Sequence, residues 1–207
     1  MNRVRSTLWA VFGIILSLHL VGNATGSKFK LNDSVSIPDP VKAKFKDRIK
    51  ANFSFDDKVG RHTLVLTKDS TRSKDGSEKI EIQAEQYLSK GPTWNLEWAI
   101  KDYQVCNGLD IAADFFTSLT SVSDLDENGV AESSVAYHIS CSGDVEPETI
   151  KVVMRQGKEK FAIRGESLVQ IKGMPPEGGT FVLDRKLEAK PVFKEHLLAI
   201  WKKAAGV

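Results

Sequence analysis

The sequence predicts a mainly β (α+β) protein, an antiparallel sheet or sandwich with a C-terminal amphipathic helix. From about residue 49 onward, apolar and polar residues mostly alternate, which is typical of half-buried strands. After residue 190, apolar residues recur with the period of a helix. Residues that favour turns, chiefly Gly, Asp and Asn, separate several alternating segments, which is the pattern of hairpin connections.

The first 24 residues have the features of a secretory signal peptide. Two arginines lie within the first five residues, an apolar run of about 14 residues follows, and small residues precede the expected cleavage after Ala24. A bilayer core needs about 20 apolar residues, so we expect no stable membrane span after signal removal. Residues 25–207 are expected to form a single β-rich domain in the periplasm or outside the cell.

Alternation predicts the strands in order. The predicted segments are 64–66, 80–84, 94–100, 135–141, 150–154, 161–163 and a short last strand at 181–183. An exposed hairpin loop is expected at 69–79 and a tight turn at 156–159. Trp94 and Trp98 are in phase with Leu96 and Ile100, so we expect them to pack in the core rather than form a sugar-stacking platform.

The C-terminal segment predicts an amphipathic helix that packs on the sheet. Pro191 suits the first helical turn, where its missing N–H costs nothing. The short length favours a docked terminal helix over a membrane-surface role. The apolar positions at helical spacing are Phe193, Leu197, Ile200, Trp201 and Ala204.

The two cysteines, Cys106 and Cys141, predict a structural disulfide. They lack the additional Cys or His spacing of a metal site and do not form a Cys-x-x-Cys redox pair. Disulfides are typical of exported proteins. Closing a loop of about 36 residues is expected to stabilise the fold by about 4 kcal/mol on the chain-entropy estimate.

The charge balance argues against a nucleic-acid partner. Without the signal, 27 basic residues stand against 27 acidic residues. The one local excess of basic residues, at 42–50, alternates with apolar residues and is typical of a solvated face. Affinity for nucleic acid depends on clustered Lys and Arg, so we expect no nucleic-acid partner.

Residues 124–132, Asp-Leu-Asp-Glu-Asn-Gly-Val-Ala-Glu, have the spacing of a cation-binding loop. Three oxygen-bearing side chains fall at alternate positions, and Gly129 then permits a sharp turn. A hard cation such as Ca²⁺ takes six to eight oxygens, which a following carbonyl and carboxylate would help to supply. The predicted ligands are Asp124, Asp126, Asn128, Val130 through its carbonyl, and Glu132.

The same loop also fits a turn without a metal. Asp, Asn and Gly are common in tight turns, and residues 127–130 between two apolar segments form a hairpin signal. An EF-hand is excluded, because its twelfth position, which requires a bidentate Glu, is Val135 here. The loop is similar to the Asp-x-Asp-x-Asn-Gly loops of FG-GAP-type repeats, which implies a calcium site. Since the sequence has one copy, we do not expect a multi-bladed propeller.

Further residues between 94 and 165 accompany the acidic loop. They are Trp98, Cys106, Asp110, Tyr137, the Cys141-Ser-Gly-Asp144 segment and the Phe161-Ala-Ile-Arg-Gly165 segment. With the loop, they resemble an exported bacterial family of poorly known function, sometimes labelled surface-polysaccharide-biosynthesis proteins. The resemblance covers about a third of the chain and implies an envelope or periplasmic location. No residue here marks glycosyl transfer or the binding of a sugar nucleotide.

Two kinds of function fit these observations. The first is a non-enzymatic exported protein whose cation and disulfide stiffen a surface that binds an envelope component, either a glycan or another protein. The alternative is a glycan-modifying or hydrolytic enzyme that uses paired carboxylates. We prefer the first, because a carboxylate held on a metal is a poor proton donor. An inhibitor or subunit of another exported protein is not separated from the first by sequence. The carboxylates available to an enzyme are Asp110, Asp124, Asp126, Glu132 and Asp144.

Overall fold

The computed structural model describes residues 27–28 and 37–207. The predicted signal peptide, residues 1–24, lies outside the described residues. The strands, in chain order, are β1 (Ser27–Lys28), β2 (Ile49–Asp56), β3 (Arg61–Arg72), β4 (Glu78–Lys90), β5 (Thr93–Cys106), β6 (Asp110–Phe115), β7 (Ser121–Asp124), β8 (Glu132–Ser142), β9 (Thr149–Gln156), β10 (Glu159–Glu166), β11 (Leu168–Val169), β12 (Glu177–Gly178) and β13 (Phe181–Leu183). The helices are α1 (Asp39–Lys42) and α2 (Pro191–Ala205).

Two antiparallel sheets pack face to face. Sheet 1 has the order β2-β3-β4-β5, so that β2 and β5 are its edges. Sheet 2 has the order β1-β7-β8-β9-β10-β13, and β6 also pairs with β8. A separate short pair joins β11 to β12. The mainly β architecture with a C-terminal helix therefore confirms the predicted fold class.

The main core lies between the two sheets. Leu64 and Leu66 of β3 are fully buried there, and each such side chain contributes about 1.5–3 kcal/mol by leaving water. In each strand, the residues of this core lie at alternate positions, as expected for sheets that each bury one face in the sandwich. Other members of this core are Phe53, Ile82, Trp98 and Ile100 from sheet 1 and Phe115, Val135, Tyr137 and Val153 from sheet 2.

Helix α2 covers the other face of sheet 2. All five apolar positions predicted for this helix are buried against β8, β9 and β10, which confirms the prediction. Gly206 ends the helix with a φ of 74°, the left-handed conformation that suits glycine. No helix in the described part of the chain has the length and apolarity to cross a bilayer.

A bulge in β5 overturns part of the predicted strand pattern. Gln86 pairs with Trp98 but Tyr87 pairs with Leu96, so Glu97 is an extra residue on β5. The expectation that Leu96 shares a buried face with Trp98 is wrong, because Leu96 is 52% exposed. Apolar spacing alone does not reveal a bulge, which moves the residues on one side of it to the opposite face.

The hairpin between β3 and β4 is longer than predicted. Pairing continues from Thr71 and Lys79 to Arg72 and Glu78, so the loop covers residues 73–77 rather than 69–79. The outer residues of this hairpin are polar, exposed on β3 and half-buried on β4, and their strand pairing leaves no apolar signal in the sequence.

Candidate metal centre

The acidic loop joins β7 to β8 at one end of the sandwich. Asp124 is the last residue of β7 and Glu132 the first of β8, so the strand pairing brings the two ends of the loop together. Gly129 lies between them with a φ of 83°, a conformation that residues with a Cβ rarely adopt. The predicted turn position of Gly129 is therefore confirmed by the backbone.

Three carboxylates of the loop converge. Asp124, Asp126 and Glu132 each contribute one oxygen to a group in which all three atoms lie within 4.8 Å of one another. Glu132 is fully buried and Asp124 is 9% exposed. Oδ1 of Asp124 is buried with no hydrogen-bond partner among the described residues. This oxygen-only group could hold a metal ion, and carboxylates are the preferred ligands of hard cations.

The loop folds around its own carboxylates. Oδ2 of Asp124 accepts a hydrogen bond from the Gly129 N–H at 2.9 Å, and Oε2 of Glu132 accepts one from the Leu125 N–H at 2.6 Å. The side chain of Gln156 donates to both Asp126 and Glu132. These bonds fix the carboxylates without neutralising their charge.

One cation lies at the edge of the group. Nζ of Lys190 is 3.5 Å from Oδ2 of Asp126. Burial, with smaller contributions from the neighbouring carboxylates of Asp126 and Asp124, raises the pKa of Glu132 to about 7, although the hydrogen bond from the Leu125 N–H acts in the opposite direction. Among the described residues, the Lys190 ammonium pairs with one carboxylate of the group, and the negative charge that remains favours a bound cation.

The other two predicted ligands have different surroundings. Oδ1 of Asn128 accepts a hydrogen bond from the Val130 N–H at 2.7 Å, and the Asn128 carbonyl accepts one from Nζ of Lys58 at 3.1 Å. The structure therefore groups the three carboxylates of the predicted set, while Asn128 and Val130 bond to each other within the turn.

A second hairpin holds the loop in place, which sequence reasoning missed. The turn between β2 and β3 contains Asp57 and Lys58. Oδ2 of Asp57 accepts from the Ala131 N–H at 2.9 Å, and the Lys58 N–H donates to the Gly129 carbonyl at 2.9 Å. Asp57 and Gly60 are residue types common in turns, but no local signal in the sequence links them to a loop more than 70 residues later.

Asp57 also belongs to a buried polar cluster between the sheets. The His62 ring bonds Oδ1 of Asp57 through Nε2 at 2.9 Å and Oε2 of Glu97 through Nδ1 at 2.8 Å. Gln86 donates to Glu97 at 2.9 Å and accepts from the Ser133 hydroxyl at 2.7 Å. The β5 bulge turns Glu97 towards this cluster, a common use of bulges. The cluster therefore ties sheet 1 to β8 of sheet 2.

The charges of this cluster support one another. Burial alone would lower the pKa of His62, but the hydrogen bonds that its ring donates to the carboxylates of Glu97 and Asp57, together with their negative charges, outweigh burial and raise that pKa. Burial opposes ionisation of Asp57 and Glu97 as well, yet His62, together with the Ala131 N–H for Asp57 and the Gln86 amide for Glu97, lowers the pKa of each. An imidazolium between two carboxylates is the form that this geometry favours.

The predicted disulfide lies at the other end of the sandwich. Cys106 of β5 is bonded to Cys141 of β8, with their Cα atoms 5.6 Å apart, which confirms the pairing.

The carboxylates available to an enzyme lie in two places. Asp110 and Asp144 line a cleft of about 600 Å³ beside the disulfide. Cys141 is the ninth residue after Glu132 in β8, so the two are about 30 Å apart along the strand. The enzyme alternative therefore draws on two separate acidic regions.

No protein-family model, curated protein or solved structure matches this chain. The fold and site nevertheless define a class of architecture. It is a disulfide-linked, two-sheet β-sandwich with an acidic hairpin loop that could hold a metal ion.

Proposed function

We propose that this chain is an exported, non-enzymatic binding protein whose acidic loop holds Ca²⁺. The observation that carries the proposal is the convergence of the Asp124, Asp126 and Glu132 carboxylates within 4.8 Å of one another. The cation and the Cys106–Cys141 bond stiffen opposite ends of the sandwich. The surface between them binds an envelope component, a glycan or another protein.

The donor set and the backbone support Ca²⁺ as the occupant. Every donor is an oxygen, which excludes the softer sites typical of zinc, and Ca²⁺ accepts variable geometry more readily than Mg²⁺ does. The three carboxylates each offer one converging oxygen, and water completes the shell. Because Asp57 and Lys58 bond the loop backbone, a cation that fixes the loop also fixes the β2–β3 turn.

Two features of the chain support export, the disulfide and the pattern of residues 1–24. A disulfide between strands of two sheets persists in oxidising compartments and is rare in the cytosol. Residues 1–24 have a signal-peptide pattern, and the resemblance to an exported bacterial family points the same way.

Calcium titration of metal-depleted protein tests the proposal. Ca²⁺ at 100 times its dissociation constant should add about 2.7 kcal/mol to the free energy of unfolding, measured by urea denaturation. Asp126→Asn should abolish this gain. The matched control, Asp144→Asn, removes an exposed carboxylate beside the disulfide and should respond as the native chain does.

A further variant separates lost binding from lost folding. Glu132→Gln removes one of three clustered negative charges, so we expect it to lose the calcium response without destabilising the metal-free protein. An equal calcium response in the native chain and both ligand variants would contradict the proposal, as would no response in the native chain. Titration with Mg²⁺ in parallel tests the preference between the two ions.

A further inference from the structure

Strands β9 and β10 place like charges directly opposite one another. Lys151 pairs with Arg164, and Arg155 pairs with Lys160. Two residues along each strand, Val153 faces Ala162 in the inter-sheet core, so the four basic residues lie on that same face of sheet 2. Like charges opposite each other destabilise a sheet, and two such pairs on one face of a hairpin need an explanation.

The surrounding acids do not balance these charges. Asp102 of β5 pairs with Lys151, with 2.5 Å between its Oδ2 and Nζ, and accepts a hydrogen bond from the Tyr137 hydroxyl at 3.0 Å. Lys160 and Arg164 have no carboxylate within ion-pair distance in the part of the chain that the structure describes. The repulsion between the strands is thus left largely uncompensated.

The sheet geometry leaves this face partly open. β5 is an edge strand of sheet 1, so sheet 1 ends there while sheet 2 continues to β10. The step between them forms a groove of about 420 Å³, which we call the cationic groove. Its volume lies within the usual range for small-molecule sites. Its charged and hydroxyl-bearing lining residues are Lys101, Asp102, Tyr137, Lys151, Lys160 and Arg164.

Lys160 and Arg155 are partly buried, and neither has a carboxylate partner among the described residues. Burial lowers the pKa of Lys160, and the charges of Arg164, Arg155 and Lys151 lower it further. Arg155 lies over the ring of Trp98 at 5.8 Å, and its Nε atom is buried without a hydrogen-bond partner among the described residues. Lys101, by contrast, turns away to an ion pair with Glu81 at 2.8 Å. The uncompensated charge is therefore concentrated on the β9–β10 side of the groove.

We propose that the cationic groove binds a small anionic ligand through its phosphate or carboxylate groups. The planar guanidinium of Arg164 can hold two oxygens of one such group, and the Lys160 ammonium supplies a second charge. A bound anion relieves the repulsion between the basic residues of β9 and β10. The inference rests on the proposed function in treating the chain as a binding protein, but it does not depend on the cation of the acidic loop.

The cationic groove also corrects an expectation from the sequence. The sequence shows one local excess of basic residues, at 42–50, yet the cations of β5, β9 and β10 become neighbours when the strands pair. The groove has the volume of a small ligand, so it gives no reason to expect a nucleic-acid partner.

Unfolding of metal-depleted protein with and without anions tests this proposal. Inorganic phosphate and succinate are added separately, and sodium chloride keeps the ionic strength constant. The native chain should gain stability with at least one anion, and the larger gain identifies the preferred group. In Lys160→Gln/Arg164→Gln, affinity should fall at least tenfold. The control, Lys74→Gln/Lys90→Gln, changes charge equally at exposed turns and should respond as the native chain does.

Two further readouts exclude a trivial loss of folding. Without added anion, Lys160→Gln/Arg164→Gln should be at least as stable as the control, because it removes both like-charge pairs. Arg164→Lys keeps the charge but not the planar fork, so its affinity should lie between those of the native chain and the double variant. Equal anion responses in all variants, or no response to either anion in the native chain, would overturn the proposal. A failed calcium titration would leave these outcomes unchanged.

Discussion

The two ends of the sandwich hold the sheets together by different means. At the disulfide end, Cys106 of sheet 1 is covalently bonded to Cys141 of sheet 2. At the polar end, which comprises the His62 cluster and the acidic loop, the sheets meet through hydrogen bonds and buried charges. The two ends lie about 30 Å apart along β8.

The difference has physical consequences. A disulfide acts mainly by restricting the unfolded chain, so its contribution depends little on pH within the folded protein's working range. A buried charge cluster stabilises only while every charged member has its partner, so it depends on protonation and on bound ions. We therefore expect the disulfide end to be constant and the polar end to respond to conditions.

The largest expected effect is loss of the disulfide. Cys106→Ala/Cys141→Ala should reduce the free energy of unfolding by about 4 kcal/mol, because the unfolded chain regains the freedom of a long loop. Urea denaturation at two pH values measures it. If the loss of unfolding free energy changes strongly with pH, the disulfide end does not stabilise the protein independently of pH.

Breaking the polar end should cost nearly as much. His62→Gln leaves the buried carboxylates of Asp57 and Glu97 without their shared cation and should cost about 3 kcal/mol at neutral pH. His138→Gln is the matched control, since His138 also pairs with a carboxylate, Glu148 at 2.8 Å, but is partly exposed. It should cost less than about 1 kcal/mol. Equal losses of unfolding free energy in the two variants would contradict a stabilising role for the buried cluster.

The pH profile distinguishes the polar end further. The raised pKa of His62 gives stability that is complete below about pH 6.5 and is lost as the pH rises through the folded value. The lowered pKa values of Asp57 and Glu97 give stability that is lost as the pH falls through them. The difference between the native and His62→Gln profiles should therefore shrink on the alkaline side. A constant difference across this range would contradict the charge assignment.

A smaller effect is expected at the glycine of the acidic loop. Gly129→Ala forces a φ of 83° on a residue with a Cβ and brings that Cβ to 3.1 Å from Cδ of Lys58. We expect a loss of about 1–2 kcal/mol and weaker calcium affinity, both measurable by denaturation with and without Ca²⁺. Gly76→Ala is the control, because Gly76 has a φ of 89° with open space around it. It should lose similar stability with no change in calcium affinity.

The two ends also differ in how far sequence could predict them. Two cysteines allow one pairing, so the disulfide follows from a count. The spacing of Asp124, Asp126 and Glu132 likewise places three carboxylates in one short loop. The His62 cluster joins strands far apart in the chain and needs a bulge to turn Glu97 inward. Such contacts depend on register, which a period-two pattern does not specify across a bulge.

Amide hydrogen exchange with and without Ca²⁺ tests the central claim most directly. If a cation organises the acidic loop, Ca²⁺ should slow exchange at Gly129 and Ala131, whose N–H groups bond Asp124 and Asp57, and leave the amides around Cys141 unchanged. Unchanged exchange in the loop, or equal slowing at both ends of the sandwich, would contradict the claim.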